Sequence, residues 1–192
     1  MLTESGSDSE SLQESVEAEA GPAADLDAVS GGSNRMINLR VWLKIPDAEA
    51  ATVKNTLERR LGFGNVLEDV KKERLFSIEI DSGDPEELAK SFARELVNEN
   101  KESHKVYVDA LDCEDDYVPV KVALHIEDGE AISIRERLRR RLGFSNVVDV
   151  EKATVWKLYF KTLRPEAQIA ARDIAEKLLI NPHKDTYEIL SH

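Results

Sequence analysis

The densest set of chemically capable side chains is Arg135, Arg137, Arg139, Arg140 and Arg141, five guanidinium groups within seven positions. Arginine grips phosphates and carboxylates through paired N–H donors, so such a run could hold an anionic ligand or an acidic protein. Glu136 interrupts it, and Ala131, Ile134, Leu138 and Leu142 recur at steps of three and four, the stripe of an amphipathic helix. The arginines then fall on the solvated face of that helix. An acidic protein partner is the functional use that fits them best.

The other candidates carry less chemistry. His104, His125, His183 and His192 have no spacing that would converge metal ligands. Cys113 is the only cysteine, which excludes an intrachain disulfide and fits a reducing compartment. Asp112, Glu114, Asp115 and Asp116 surround it and should raise its pKa, against a reactive thiolate. No Ser or Cys is accompanied by a His and a carboxylate in a nucleophile pattern. Gly62-Phe63 and Gly143-Phe144 lack the further glycines of a phosphate-binding loop, so each reads as a helix end with a phenylalanine plug. Trp42 and Trp156 read as packing residues, because stacking on a base would need basic neighbours and aromatics on both central strands. No catalytic residue, metal or cofactor is expected on this chain.

Charge placement narrows the partners. The 192 residues are 41% hydrophobic and 33% charged, and 38 acids against 26 bases give a net charge of −12. Residues 1–35 hold eight acids and one base, and residues 112–116 add four acids. The rest is nearly balanced, with 12 bases and 15 acids over 36–111 and 13 and 11 over 117–192. Such a field repels nucleic acid and anionic lipid, so neither nucleic acid nor membrane is an expected partner. No run approaches the roughly 18 apolar residues of a membrane span, and no basic segment leads into an apolar one. A soluble, cytoplasmic protein is expected. Residues 1–35 are too poor in large apolar side chains to offset ordering entropy and are expected to be a disordered acidic tail, either solubilising or an arm that docks on a basic partner.

The elements that position these residues come in two copies. Residues 41–66 and 122–147 are identical at 14 of 26 positions, including Arg59-Arg60-Leu61-Gly62-Phe63 and Arg140-Arg141-Leu142-Gly143-Phe144. In each copy an alternating strand comes first (Leu39, Val41, Leu43 and Ile45; Val120, Val122, Leu124 and Ile126). A helix follows, capped by Asp47 or Asp128 and ended by Gly62 or Gly143. Residues 66–70 and 75–80 then predict two strands with a turn over Lys71 to Arg74, matched by 147–150 and 155–160. Pro85 and Pro165 open second helices, and Val106 and Val108, or Tyr187 and Ile189, supply closing strands.

That order defines an α+β protein of two tandem ferredoxin-like βαββαβ units, 36–111 and 117–192, joined by an acidic linker at 112–116. By alternation the face away from the helices carries Trp42, Leu75, Tyr107, Ala123, Val155 and Tyr159, too apolar for water throughout. The two copies should therefore associate as an internal pseudo-dimer, by sheet faces or strand edges.

The end of the second copy, Ile174-Ala175-Glu176-Lys177-Leu178-Leu179-Ile180-Asn181-Pro182 followed by Tyr187-Glu188-Ile189, resembles the C-terminal signature of the PurS family. PurS is the small subunit of phosphoribosylformylglycinamidine synthase, and the Leu-Gly-Phe turns at 61–63 and 142–144 resemble its first-helix exit. The first copy lacks the Asn-Pro pair, with Glu99-Asn100 near that place. The resemblance implies a non-catalytic subunit that bridges a large synthetase subunit and a glutaminase subunit in purine biosynthesis and supports ammonia transfer. ATP and magnesium would belong to the synthetase partner. Asn181, Pro182 and Tyr187, and secondarily Arg135 and Arg139, are the implied interface positions. Family members usually self-associate as single copies, so the duplication implies a covalent replacement for a homodimer, with further self-association open. A stand-alone module that binds a metabolite between paired units is the alternative reading, and an RNA-binding use of the scaffold is the weakest.

Overall fold

β1 (Arg35–Leu43) sends Ile37, Leu39 and Val41 to one side and Asn38, Arg40 and Trp42 to the other, the alternation of a strand with two different environments. This arrangement comes from a computed structural model describing residues 34–162 and 164–190, so the expected disordered tail lies, up to residue 33, outside the described residues. Asn34 and Arg35 are ordered, with Arg35 already opening β1.

The first repeat continues as α1 (Ala48–Arg59), β2 (Leu67–Ile80), α2 (Pro85–Leu96) and β3 (Glu102–Val108). The second runs β4 (Val118–Leu124), α3 (Gly129–Glu136), β5 (Val147–Phe160), α4 (Arg164–Ile174) and β6 (Asp185–Ile189). Both expected caps form: the Asp47 carboxylate accepts the amides of Glu49 and Ala50, and Asp128 those of Glu130 and Ala131. Gly62 and Gly143 adopt left-handed φ values of 78° and 76°, which side chains resist, and so end the first helices. α3 and α4 each finish in a π-helical turn, Arg137–Arg141 and Ala175–Leu179.

One antiparallel sheet holds all six strands in the order β3-β1-β2-β5-β4-β6. The expected turn at Lys71 to Arg74 is absent. Each pair of expected strands is one continuous 14-residue strand, β2 or β5, and these two pair with each other along their whole length. The charged run that reads locally as a turn is neutralised by partners distant in sequence. Lys72 bonds Glu49, Glu73 bonds Arg40 and Lys157, and Arg74 bonds Glu102. The first strands also end sooner than the alternation predicts: Leu43↔Glu102 and Leu124↔Asp185 are the last pairs, leaving Ile45 and Ile126 exposed.

The repeats therefore join by strand edges, and they exchange helices in doing so. α2 and the π-turned α3 share one core with Ile37, Leu39, Phe76, Ile78 and the start of β5. α1 and α4 share the other with Leu67, Val70, Val120, Trp156 and Leu158. Phe92 of α2 meets Phe144 of the second repeat edge to face, with centroids 5.1 Å apart and planes at 77°. Neither repeat contains a whole core, so the layers form only when both are present.

Candidate functional site

Asn181 follows the π-turn of α4 and organises the turn into β6. Its carbonyl accepts the amides of Lys184 and Asp185, its side-chain oxygen accepts the amide of His183, and its own amide donates to the Asp185 carboxylate at 2.7 Å. Asn98 makes the same four bonds, to Lys101, Glu102, Asn100 and the Glu102 carboxylate. The first repeat has thus kept the asparagine and lost only the proline, since Glu99 stands in the place of Pro182. The expectation that it lacks the pair holds, but the counterpart of Asn181 is Asn98 rather than Asn100, because the second repeat is three residues longer between Pro165 and Asn181 than the first between Pro85 and Asn98. Tyr187 sits on β6, where its hydroxyl donates to Glu176 of the same turn at 2.8 Å, which raises its pKa.

Arg135 is spoken for by Asp149 at 3.0 Å, and Arg140 by Glu136, while Arg139 is exposed. α3 belongs to the first core and the Asn181 turn adjoins the second, so the structure does not bring the two groups together.

The face away from the helices holds what sequence reasoning missed. The segment after β3 turns at Asp109, held at a φ of 62°, where the Met36 amide and Arg35 bond its carboxylate and depress its pKa. It then crosses the face as a strap, packing Leu111 against Leu75, Ala153 and Val155 and burying Cys113 and Tyr117. The Cys113 thiol is pushed up as expected, but burial is the first cause, with Arg40 opposing and Asp112 adding to the rise. Under the strap, Arg40 donates to Glu73 at 2.6 Å, to Tyr117 at 3.2 Å and to the Asp112 carbonyl at 3.2 Å. Lys157 completes Glu73 at 2.6 Å. Burial alone would weaken the guanidinium's hold on its proton, but Glu73 and Tyr117 reverse this and its pKa rises. Four elements are tied by this network: β1, β2, β5 and the strap.

Beside it lies a cleft of about 720 Å³, within the range of small-molecule sites. β1 pairs with β2 only from Arg74 onward, so the stretch from Asp69 to Glu73 has no neighbour on that edge and a notch opens under the β1–α1 turn. Trp42, expected to pack, is half-buried and lines this cleft; Trp156 is in the core as expected. The ammonium of Lys71 lies 4.7 Å from the ring centroid of Tyr159, and that of Lys105 lies 4.9 Å from that of Tyr107. Glu114 and Asp116 reach the cleft from the strap. Alternation marked the three aromatic residues as sharing a face, but only the long β2–β5 ladder sets Lys71 and Lys157 beside them.

The architecture defines a class: an α+β pair of ferredoxin-like units fused through one sheet. Residues 117–192 match the model of the PurS family, described as Phosphoribosylformylglycinamidine (FGAM) synthase, and that part of the chain is PurS-like. No curated protein matches the sequence. A crystal structure of an unknown protein from Galdieria sulphuraria aligns over 83% of this chain and 100% of its own, at 9% identity and a TM-score of 0.22, too weak a likeness to carry an argument. Among the described residues, no helix is long and apolar enough to cross a membrane.

Proposed function

We propose that this chain is a non-catalytic PurS-type subunit of a phosphoribosylformylglycinamidine synthase complex, holding a large synthetase subunit and a glutaminase subunit together so that ammonia passes between them in the cytoplasm. The match of 117–192 to the PurS family carries the reading. ATP, magnesium and glutamine chemistry belong to the partners, and the chain contributes surfaces. Two diverged repeats give two different surfaces, which suits a bridge between unlike partners. Asn181, Pro182 and Tyr187 form the first contact through the turn into β6. Arg135 and Arg139 form the second on α3, addressed to an acidic surface.

The test is glutamine-dependent synthase activity of the synthetase and glutaminase from the same organism, with and without this chain, together with size-exclusion chromatography of the mixture. Activity and a three-component complex that both require the chain are expected. Full activity without it would overturn the reading. Assembly that survives Asn181→Ala combined with Arg139→Glu would overturn the interface.

A further inference from the structure

The two halves of the open face are related by the repeat, yet their side chains differ in kind. The strand ladders fix the counterparts: Arg40 opposes Lys105 where Lys121 opposes Glu188, and Asp69 opposes Tyr159 where Glu79 opposes Asp149. Lys105 thus corresponds to Glu188 and Tyr159 to Glu79. By the same registers Lys71 corresponds to Glu151, Lys157 to Ser77, and Trp42 to Ala123. At these positions one half is basic or aromatic and the other acidic or small, and Asp47, Asp69 and Glu73 also line the cleft. The cleft lies on the basic, aromatic half.

We infer that this cleft is a binding site for a ribonucleoside monophosphate. Lys71 and Lys105 project ammonium groups that suit a phosphate dianion, each braced over a tyrosine ring. The half-buried Trp42 offers a face for a flat base, beside Tyr107, whose ring already carries Lys105 and Arg40, and Tyr159, whose ring carries Lys71 and meets Tyr117. Glu114 and Asp116, on the strap, offer the carboxylate acceptors that ribose hydroxyls take in nucleotide sites. Simple neutralisation by the strap would explain the lysines but not the half-buried Trp42 in the same cleft. Ligation through Glu114 and Asp116 would couple occupancy to the strap, and through Tyr117 and Arg40 to the centre of the sheet. The inference does not depend on the PurS reading, because binding is measured on the full chain without partners.

The experiment titrates adenosine 5′-monophosphate, ribose 5-phosphate, adenosine and inorganic phosphate into the full chain, following tryptophan fluorescence and the unfolding temperature. Saturable quenching and a raised unfolding temperature are expected with the nucleotide, and weaker responses with the three fragments. The exposed pair Lys71→Gln and Lys105→Gln should weaken nucleotide binding by roughly tenfold or more. Glu188→Gln, on the other half, should leave it unchanged. Absence of saturable nucleotide binding, equal binding of inorganic phosphate, or lysine variants that bind as the parent does would each overturn the inference. Unfolding temperatures of the unliganded variants separate loss of the site from loss of the fold, and the single lysine variants repeat the test should the pair fail to fold.

Discussion

Arg74 faces Thr154 in the β2–β5 ladder, and each fills in its own repeat the place the other fills in the second, so the pseudo-twofold axis passes between them. Other pairs obey the same axis. Lys72–Glu49 is repeated as Lys152–Glu130, and Lys54–Asp69 as Arg135–Asp149, both of the latter at 3.0 Å. The ladder is irregular at Glu68 in β2 and at its counterpart Val148 in β5, which places the bulges symmetrically as well. The duplication has been kept at the level of individual contacts.

Because the ladder register is its own image about that axis, β5 can pair with a second β5. Residues 112–192 produced alone are expected to run as a homodimer in size-exclusion chromatography and to lose structure on dilution. A stable folded monomer would contradict the exchange of helices between cores.

The same exchange makes unfolding cooperative across the repeats. Leu138 is fully buried against first-repeat residues. Leu138→Ala should cost about 2–5 kcal/mol and still give one transition in urea. Two separated transitions would mean that the cores melt independently.

Glu73 is 5% exposed and answers two cations, with Arg40 only 3% exposed. Glu73→Ala leaves both without their carboxylate and should cost about 3–5 kcal/mol in denaturant unfolding. Glu79→Ala, at an exposed bond to Asn34, should cost less than about 1 kcal/mol and serves as the comparison.

Asn98→Ala and Asn181→Ala each remove the side-chain acceptor of a turn amide and should each lower stability by about 1 kcal/mol, measured by chemical denaturation. If the second also disrupts the synthase complex, it should do so more than the first, because only Asn181 lies in the PurS-like part.

Burial, followed by the nearby Asp116 charge, pushes the Tyr159 hydroxyl well above its ordinary value of 10. The folded chain then holds that proton more tightly than the unfolded one, so the contribution is complete below pH 10 and is lost as pH rises beyond it. Stability measured from pH 9 upward should fall less steeply in Tyr159→Phe than in the parent, a difference absent near pH 7.

The sequence by itself determined the local grammar. Asp47 and Asp128 as caps, Gly62 and Gly143 as helix ends, and the apolar stripes of α1 and α3 follow from neighbours within a turn or two, and the repeat doubles each signal. The Asn181 turn was legible too, although its partner at Asn98 was hidden because the second repeat's helix segment is three residues longer. Lys71 to Arg74 defeated local reading because a charged run resembles a turn until Glu49, Arg40, Lys157 and Glu102 arrive from other elements to neutralise it. Continuity of β2 and β5, the exchange of helices and the uneven cleft all follow from that ladder. Tertiary structure alone decided them, because pairing energy between strands about eighty residues apart leaves no periodic trace in either one.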